Sequence, residues 1–169
     1  NNVLAHQLFS PLSLPPRQDN VTASPNSNAV PAGSATLAAS REIVQRWWRN
    51  TLGDADAPVL DNGSGLSRSE RISAQALGRL LQSAYLSPLM PELMSSLPIS
   101  GVDGTLRRVK GSISAHLKTG SLSNVVARAG YVLAASGKRY VLVALVNHAN
   151  AGEARPAIDA LVEWTGRDQ

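Results

Sequence analysis

The sequence predicts an α/β (α+β) chain in which helices precede and follow a run of three strands. Three observations carry that expectation. Apolar residues recur at helical spacing near the start, over 36–52 and again over 156–165. Polar and apolar residues alternate from Ser112 to Thr119, the pattern of a strand with one buried face. Two further stretches, Val125 to Leu133 and Arg139 to Val146, are rich in Val, Leu, Tyr and Ala and flank Ala135-Ser136-Gly137-Lys138, which reads as a hairpin turn. At 169 residues, with 43% hydrophobic but only 4% aromatic residues, the chain is long enough for one domain, with a core of Ala, Val, Leu and Ile.

Taken in order, Val3, Leu4, Gln7 and Leu8 mark a short buried helix over 2–9, which Pro11 stops. From Ser10 to Gly33, Pro11, Pro15, Pro16, Pro25 and Pro31 stand among Ser, Asn and Ala, too little apolar surface to order a segment, and a mobile surface insertion is expected at about 10–33. Leu37, Ile43, Val44, Trp47, Trp48 and Leu52 give the face of a second helix, closed by Gly53. The stretch Val59 to Arg68 holds Gly63 and Gly65 among small polar groups and reads as a tight loop. Ser73 sits where an N-cap belongs, ahead of Leu77, Leu80, Leu81 and Ala84 in a helix to about Tyr85. A further helical stretch covers 89–97, and Gly101 and Gly104 bracket a turn before the strands. The last helix starts near Pro156, carries Ala157, Ile158, Leu161 and Trp164 on one face, and stops at Gly166.

Composition excludes several chemistries. There is no cysteine, hence no thiolate catalysis, disulfide or cysteine zinc site. His6, His116 and His148 show no metal-ligand spacing, and Gly63-Ser64-Gly65 lacks the lysine of a phosphate loop. Net charge is +4 with a pI near 10.0, but the basic residues are scattered, and nucleic acid is not an expected partner. No run of about 18 apolar residues forms a membrane span. The opening Asn1-Asn2-Val3-Leu4 reads as a chain entered midway.

The chemistry centres on Lys118-Thr119-Gly120. A lysine and a threonine hydroxyl projecting from the end of a strand can hold a carboxylate, and glycine lets an extended peptide lie alongside. The next backbone N–H, on Ser121, can serve an oxyanion hole. Alone, the tripeptide is a weak signal, because Lys, Thr and Gly are common and a strand-to-turn junction explains all three.

Its surroundings add more. Asp61-Asn62-Gly63-Ser64-Gly65-Leu66-Ser67-Arg68, Leu97-Pro98-Ile99-Ser100-Gly101-Val102-Asp103-Gly104-Thr105-Leu106, His116 to Ser123 and Ala129-Gly130-Tyr131-Val132 together resemble the penicillin-binding protein 4 family of D-alanyl-D-alanine carboxypeptidase/endopeptidases, in their order and spacing. The resemblance covers 1–9 and about 36–165 and implies the C-terminal part of a penicillin-recognising fold, an antiparallel sheet with helices on both faces. Asn1-Asn2-Val3 is similar to the end of the family's S-x-N motif, so Asn2 is implied as its asparagine, although an ordinary helix N-cap explains it too. Catalytic roles are thereby implied for Asn2 and Lys118, and contact with substrate for Thr119, Gly120, Ser121, Ser123, Arg68 and Leu66. For the last three, a strand hydroxyl, a solvated arginine and a core leucine are the plain alternatives; Asp103 and Thr105 read as turn formers.

No S-x-x-K nucleophile motif is present, since Arg107, Ala115 and Ala135 stand three residues before the three lysines. The resemblance places that motif in an upstream part of the same protein, without which this chain is expected to be inactive. It further implies a periplasmic enzyme that needs no cofactor and meets peptidoglycan stem peptides and β-lactams. A non-catalytic peptidoglycan-binding module and a serine β-lactamase-like hydrolase are the alternatives.

Overall fold

The computed structural model describes residues 2–14, 35–107 and 113–169, which divide into two compact units, 1–72 and 73–169. In the first, helix α1 (Asn2–Phe9) runs into a 3-10 turn (Ser10–Ser13) with Pro11 near its start. Helix α2 (Leu37–Leu52) is capped by Thr36, whose hydroxyl accepts from Ala39 N at 3.2 Å, and ends at Gly53 with φ +85°. Ser40 Oγ donates to Ser10 O at 2.8 Å and Thr36 N donates to Ser13 Oγ at 3.1 Å. The first residues of the expected insertion are therefore ordered; 15–34 lie outside the described residues. The expectation of a buried α1 is corrected: Phe9 is its one buried residue, while Val3 and Leu8 are 66% and 61% exposed. Periodicity marks an apolar stripe but not what lies against it.

In the second unit, α3 (Ala74–Tyr85) begins at Ser73, whose hydroxyl accepts from Ala76 N at 3.0 Å, and α4 (Met90–Ser96) follows. Strands β1 (Ser114–Leu122), β2 (Val125–Leu133) and β3 (Arg139–Asn147) form an antiparallel sheet in the order β1-β2-β3. The β2–β3 turn closes with Ala134 N donating to Lys138 O and Gly137 N to Ala134 O, both 2.9 Å, with Gly137 at φ +80°. β1 continues through Lys118-Thr119-Gly120 instead of ending there, because its pairing with β2 runs on to Leu122 and Val125 and a Ser123-Asn124 turn, Asn124 at φ +80°, joins them.

One sheet face carries Ala115, Leu117, Val132 and Leu142, packed with Leu106 and with Val162 of α5 (Arg155–Gly166). The other meets α3 and α4: buried Tyr131 donates its hydroxyl to Leu81 O at 2.7 Å, and His116 Nδ1 lies 3.1 Å from Met94 O. Helices thus cover both faces of the sheet. The face expected for α5 is corrected. Ile158, Val162 and Gly166, four residues apart, are buried, while Leu161 is 39% and Trp164 74% exposed beside β3. α5 ends at Gly166, as expected, and a Cβ there would stand 2.3 Å from the Ile113 side chain.

Candidate active site

β1 lies at the edge of the sheet, and alternation decides what its outer side offers. Ser100 N donates to Ala115 O at 2.8 Å and Leu117 N donates to Pro98 O at 3.0 Å, so odd-numbered residues turn their backbone groups away from β2. Past Leu117 no described residue pairs with that side. The same period of two directs the N–H and C=O of Thr119 and Ser121 to the open edge. Among the described residues, the paired half of β1 is thus followed by a half with no backbone partner on its outer side, beginning at the lysine.

Side chains flank this edge from both faces. Lys118, exposed, leaves on the α3 side and curls to the edge, where Nζ donates to the carbonyl of Thr119 at 2.7 Å. Thr119 and Ser121 project on the α5 side, about 7 Å apart along the strand. Thr119 Oγ1 lies 2.7 Å from Thr105 Oγ1, and Ser121 Oγ accepts from the Arg155 guanidinium at 2.8 Å. Gly120 is on the lysine side, where a Cβ would come within 3.3 Å of Ala127 Cβ. Ser123 is exposed in the turn that closes β1. Lys118, Thr119, Gly120, Ser121 and Ser123 are thereby brought onto one strand and its turn.

Thr105, read from the sequence as a turn former, and Arg155, which the sequence did not single out, are additions to the site. Thr105 touches a candidate site hydroxyl, so its reading as a turn former is incomplete. Asp103 does form the turn, accepting from Ile99 N at 2.5 Å. Arg155 lies 34 residues from Ser121, and only the docking of α5 joins them. Arg128, opposite Thr119 in the register, is ion-paired with Asp159 of α5.

Asn2, Leu66 and Arg68 belong to the first unit. Asn2 opens α1 and is exposed, about 10 Å along the helix from Phe9. The loop carrying Leu66 and Arg68 is held by Arg41, whose Nε donates to Asp61 O at 2.6 Å, and by a bridge between Val59 and Arg71. Gly63, φ +72°, admits Phe9 so closely that a Cβ would meet its ring at 2.6 Å. Within the loop, Ser64 N donates to Asn62 Oδ1 at 3.0 Å and Leu66 N to Ser64 Oγ at 3.1 Å. Leu66 and Arg68 are exposed, so Leu66 is not a core leucine of the described unit.

Among the described residues no three His, Cys, Asp or Glu side chains gather to hold a metal, and no helix is long and apolar enough to cross a membrane. His116 is committed to α4, as a packed imidazole would be. The resolved pKa shifts lie away from β1's open edge. Burial, then the nearby Tyr85, raises the Tyr131 phenol, while the Tyr140 hydroxyl, followed by Ser136 and Lys138, lowers Asp168.

Residues 17–168 match the D-Ala-D-Ala carboxypeptidase 3 (S13) family. The chain is 34% identical over 149 residues to a D-alanyl-D-alanine carboxypeptidase of an Actinomadura species, covering 80% of this chain and 27% of that protein. It is 34% identical over 101 residues to the D-alanyl-D-alanine carboxypeptidase DacB of Haemophilus influenzae, covering 56% of this chain and 21% of that protein. The crystal structure of penicillin binding protein 4 (dacB) from Haemophilus influenzae, complexed with a novel beta-lactam, matches with a TM-score of 0.69 at 22% identity, over 98% of this chain and 37% of that one, a likeness of fold. The chain spans about a quarter of the length of these curated relatives.

Proposed function

The chain belongs to the D-Ala-D-Ala carboxypeptidase 3 (S13) family, and from that premise we propose that it is the C-terminal part of a periplasmic serine-type D-Ala-D-Ala carboxypeptidase/endopeptidase acting on peptidoglycan peptides. On this reading the whole of 1–169 belongs to the transpeptidase-like domain, and the nucleophile lies in an upstream part of the protein. That serine attacks the carbonyl carbon of the scissile peptide bond, the D-alanine amine leaves with a proton, and water cleaves the acyl-serine ester to free the shortened peptide. The residues here bind and orient. Lys118, Thr119 and Ser121 hold the terminal carboxylate, the Ser121 N–H takes the developing oxyanion, and Gly120 keeps the strand narrow beside the peptide. Asn2 offers its amide to a substrate carbonyl and to the upstream lysine, and Leu66, Arg68 and Ser123 approach the peptide.

The observation that carries this reading is the open outer half of β1, with the Lys118 ammonium on one side and the Thr119 and Ser121 hydroxyls on the other. An extended peptide adds to such an edge through its backbone, and the side chains select its charged end. The test is the intact mass of the full-length protein with and without benzylpenicillin, followed by release of D-alanine from a D-Ala-D-Ala peptide. A gain of one penicillin together with D-alanine release is expected. Penicillin turnover without D-alanine release makes the protein a β-lactamase-like hydrolase, and neither activity makes it a non-catalytic peptidoglycan-binding module.

A further inference from the structure

Arg155 is the first residue of α5, exposed, and its guanidinium donates to Ser121 Oγ at 2.8 Å, on the open half of β1. The other basic groups here are engaged differently. Arg128, whose side chain is 12% exposed, is held by Asp159, and Lys118 reaches the carbonyl of Thr119 from the opposite face. Asp159 stands one helical turn beyond Arg155, where it would pair with it, but its carboxylate is bonded to Arg128. Arg155 has no ion-pair partner among the described residues.

Two consequences follow from donor counting. A serine hydroxyl has one proton to donate and two lone pairs to accept with. Arg155 fills a lone pair, so the Ser121 proton is left to be given to whatever lies on the edge. The guanidinium retains further N–H donors, and it cannot be deprotonated in a protein. A serine biased toward donation, backed by a permanent cation, suits a carboxylate and disfavours a neutral amide, whose NH₂ also donates.

Resting on the carboxypeptidase reading above, we propose that Arg155 determines specificity: with Ser121 it recognises the free C-terminal carboxylate of the substrate peptide and so favours terminal over internal peptide bonds. The test uses the full-length protein with one D-Ala-D-Ala peptide in two forms, free acid and C-terminal carboxamide. Arg155→Ala is expected to raise KM for the acid about tenfold or more, the scale of a lost hydrogen bond to a charged group, and to leave KM for the carboxamide within about twofold. Arg155→Gln, which keeps an NH₂ for Ser121 but no charge, is expected to show the same loss of discrimination and guards against a folding failure of the alanine variant. Equal changes for both forms, or none, in variants that melt like the wild type overturn the proposal and leave the carboxypeptidase reading intact. No D-alanine release by the wild type overturns both.

Discussion

Gly130 offers a sharp test of how the K-T-G strand is held. It lies opposite Leu117 in the register, at φ +149°, and a Cβ there would stand 2.1 Å from His116 O and 3.0 Å from Leu117 Cα. Both obstacles are backbone, so in Gly130→Ala β1 must move away from β2 just before Lys118. The unfavourable backbone conformation costs about 1–3 kcal/mol. Disrupting the two ladder bonds exchanged by His116 and Tyr131 costs roughly 0.5–1.5 kcal/mol each. Alanine's stiffer unfolded chain offsets about 0.4–1 kcal/mol. The net is about 3 kcal/mol, roughly a hundredfold or more in the opening equilibrium. Hydrogen–deuterium exchange of the full-length protein, followed by mass spectrometry on peptides from 114–133, reads that equilibrium locally. Gly137→Ala is the control, for Gly137 has φ +80° but nothing within 4 Å of a Cβ. Its left-handed strain of about 1–2 kcal/mol, less the same unfolded-state offset, predicts only a severalfold change in its own hairpin. Equal exchange rates in Gly130→Ala and wild type would refute the argument that steric closeness, not turn conformation, positions β1.

Tyr131→Phe removes the buried hydroxyl bond to Leu81 O and should cost about 1 kcal/mol, seen as a thermal midpoint lowered by a few degrees, with exchange in α3 increased. Asp168 sets a pH dependence. Its carboxyl is lowered from the ordinary 3.8, first by the Tyr140 hydroxyl, then by Ser136 and Lys138, so the folded chain binds that proton less readily than the unfolded chain. Its stabilisation is complete above the ordinary value and fades as the pH falls through the lowered folded value. Thermal midpoints of wild type and Asp168→Ala should therefore differ near neutrality and converge in acid; a gap that persists unchanged through the titration refutes the assignment.

Local pattern was enough to read much of this fold. The N-caps Thr36 and Ser73, the 135–138 turn and the alternation that buries Ala115 and Leu117 each depend on residues within a few positions of one another, where backbone geometry leaves few choices. The K-T-G tripeptide and its companion segments were legible for the same reason, being short and consecutive. Where an apolar stripe points was not legible. Val3 and Leu8 are exposed and Trp164 stands clear of the core, because a stripe records that a face is apolar, while its burial depends on which element docks there.

The site divides along the same line. Sequence by itself determined which side chains are proposed to act on β1 and that they alternate between two faces. Tertiary structure alone decided that β1 is an edge strand that, among the described residues, pairs on its outer side with 98–100 and no further than Leu117, that Thr105 meets Thr119, and that Arg155 meets Ser121 across 34 residues. Those contacts arise from the docking of α5 and the 104–106 turn onto one sheet face, which no short-range spacing encodes, because it is the sum of many weak packing contacts between distant segments.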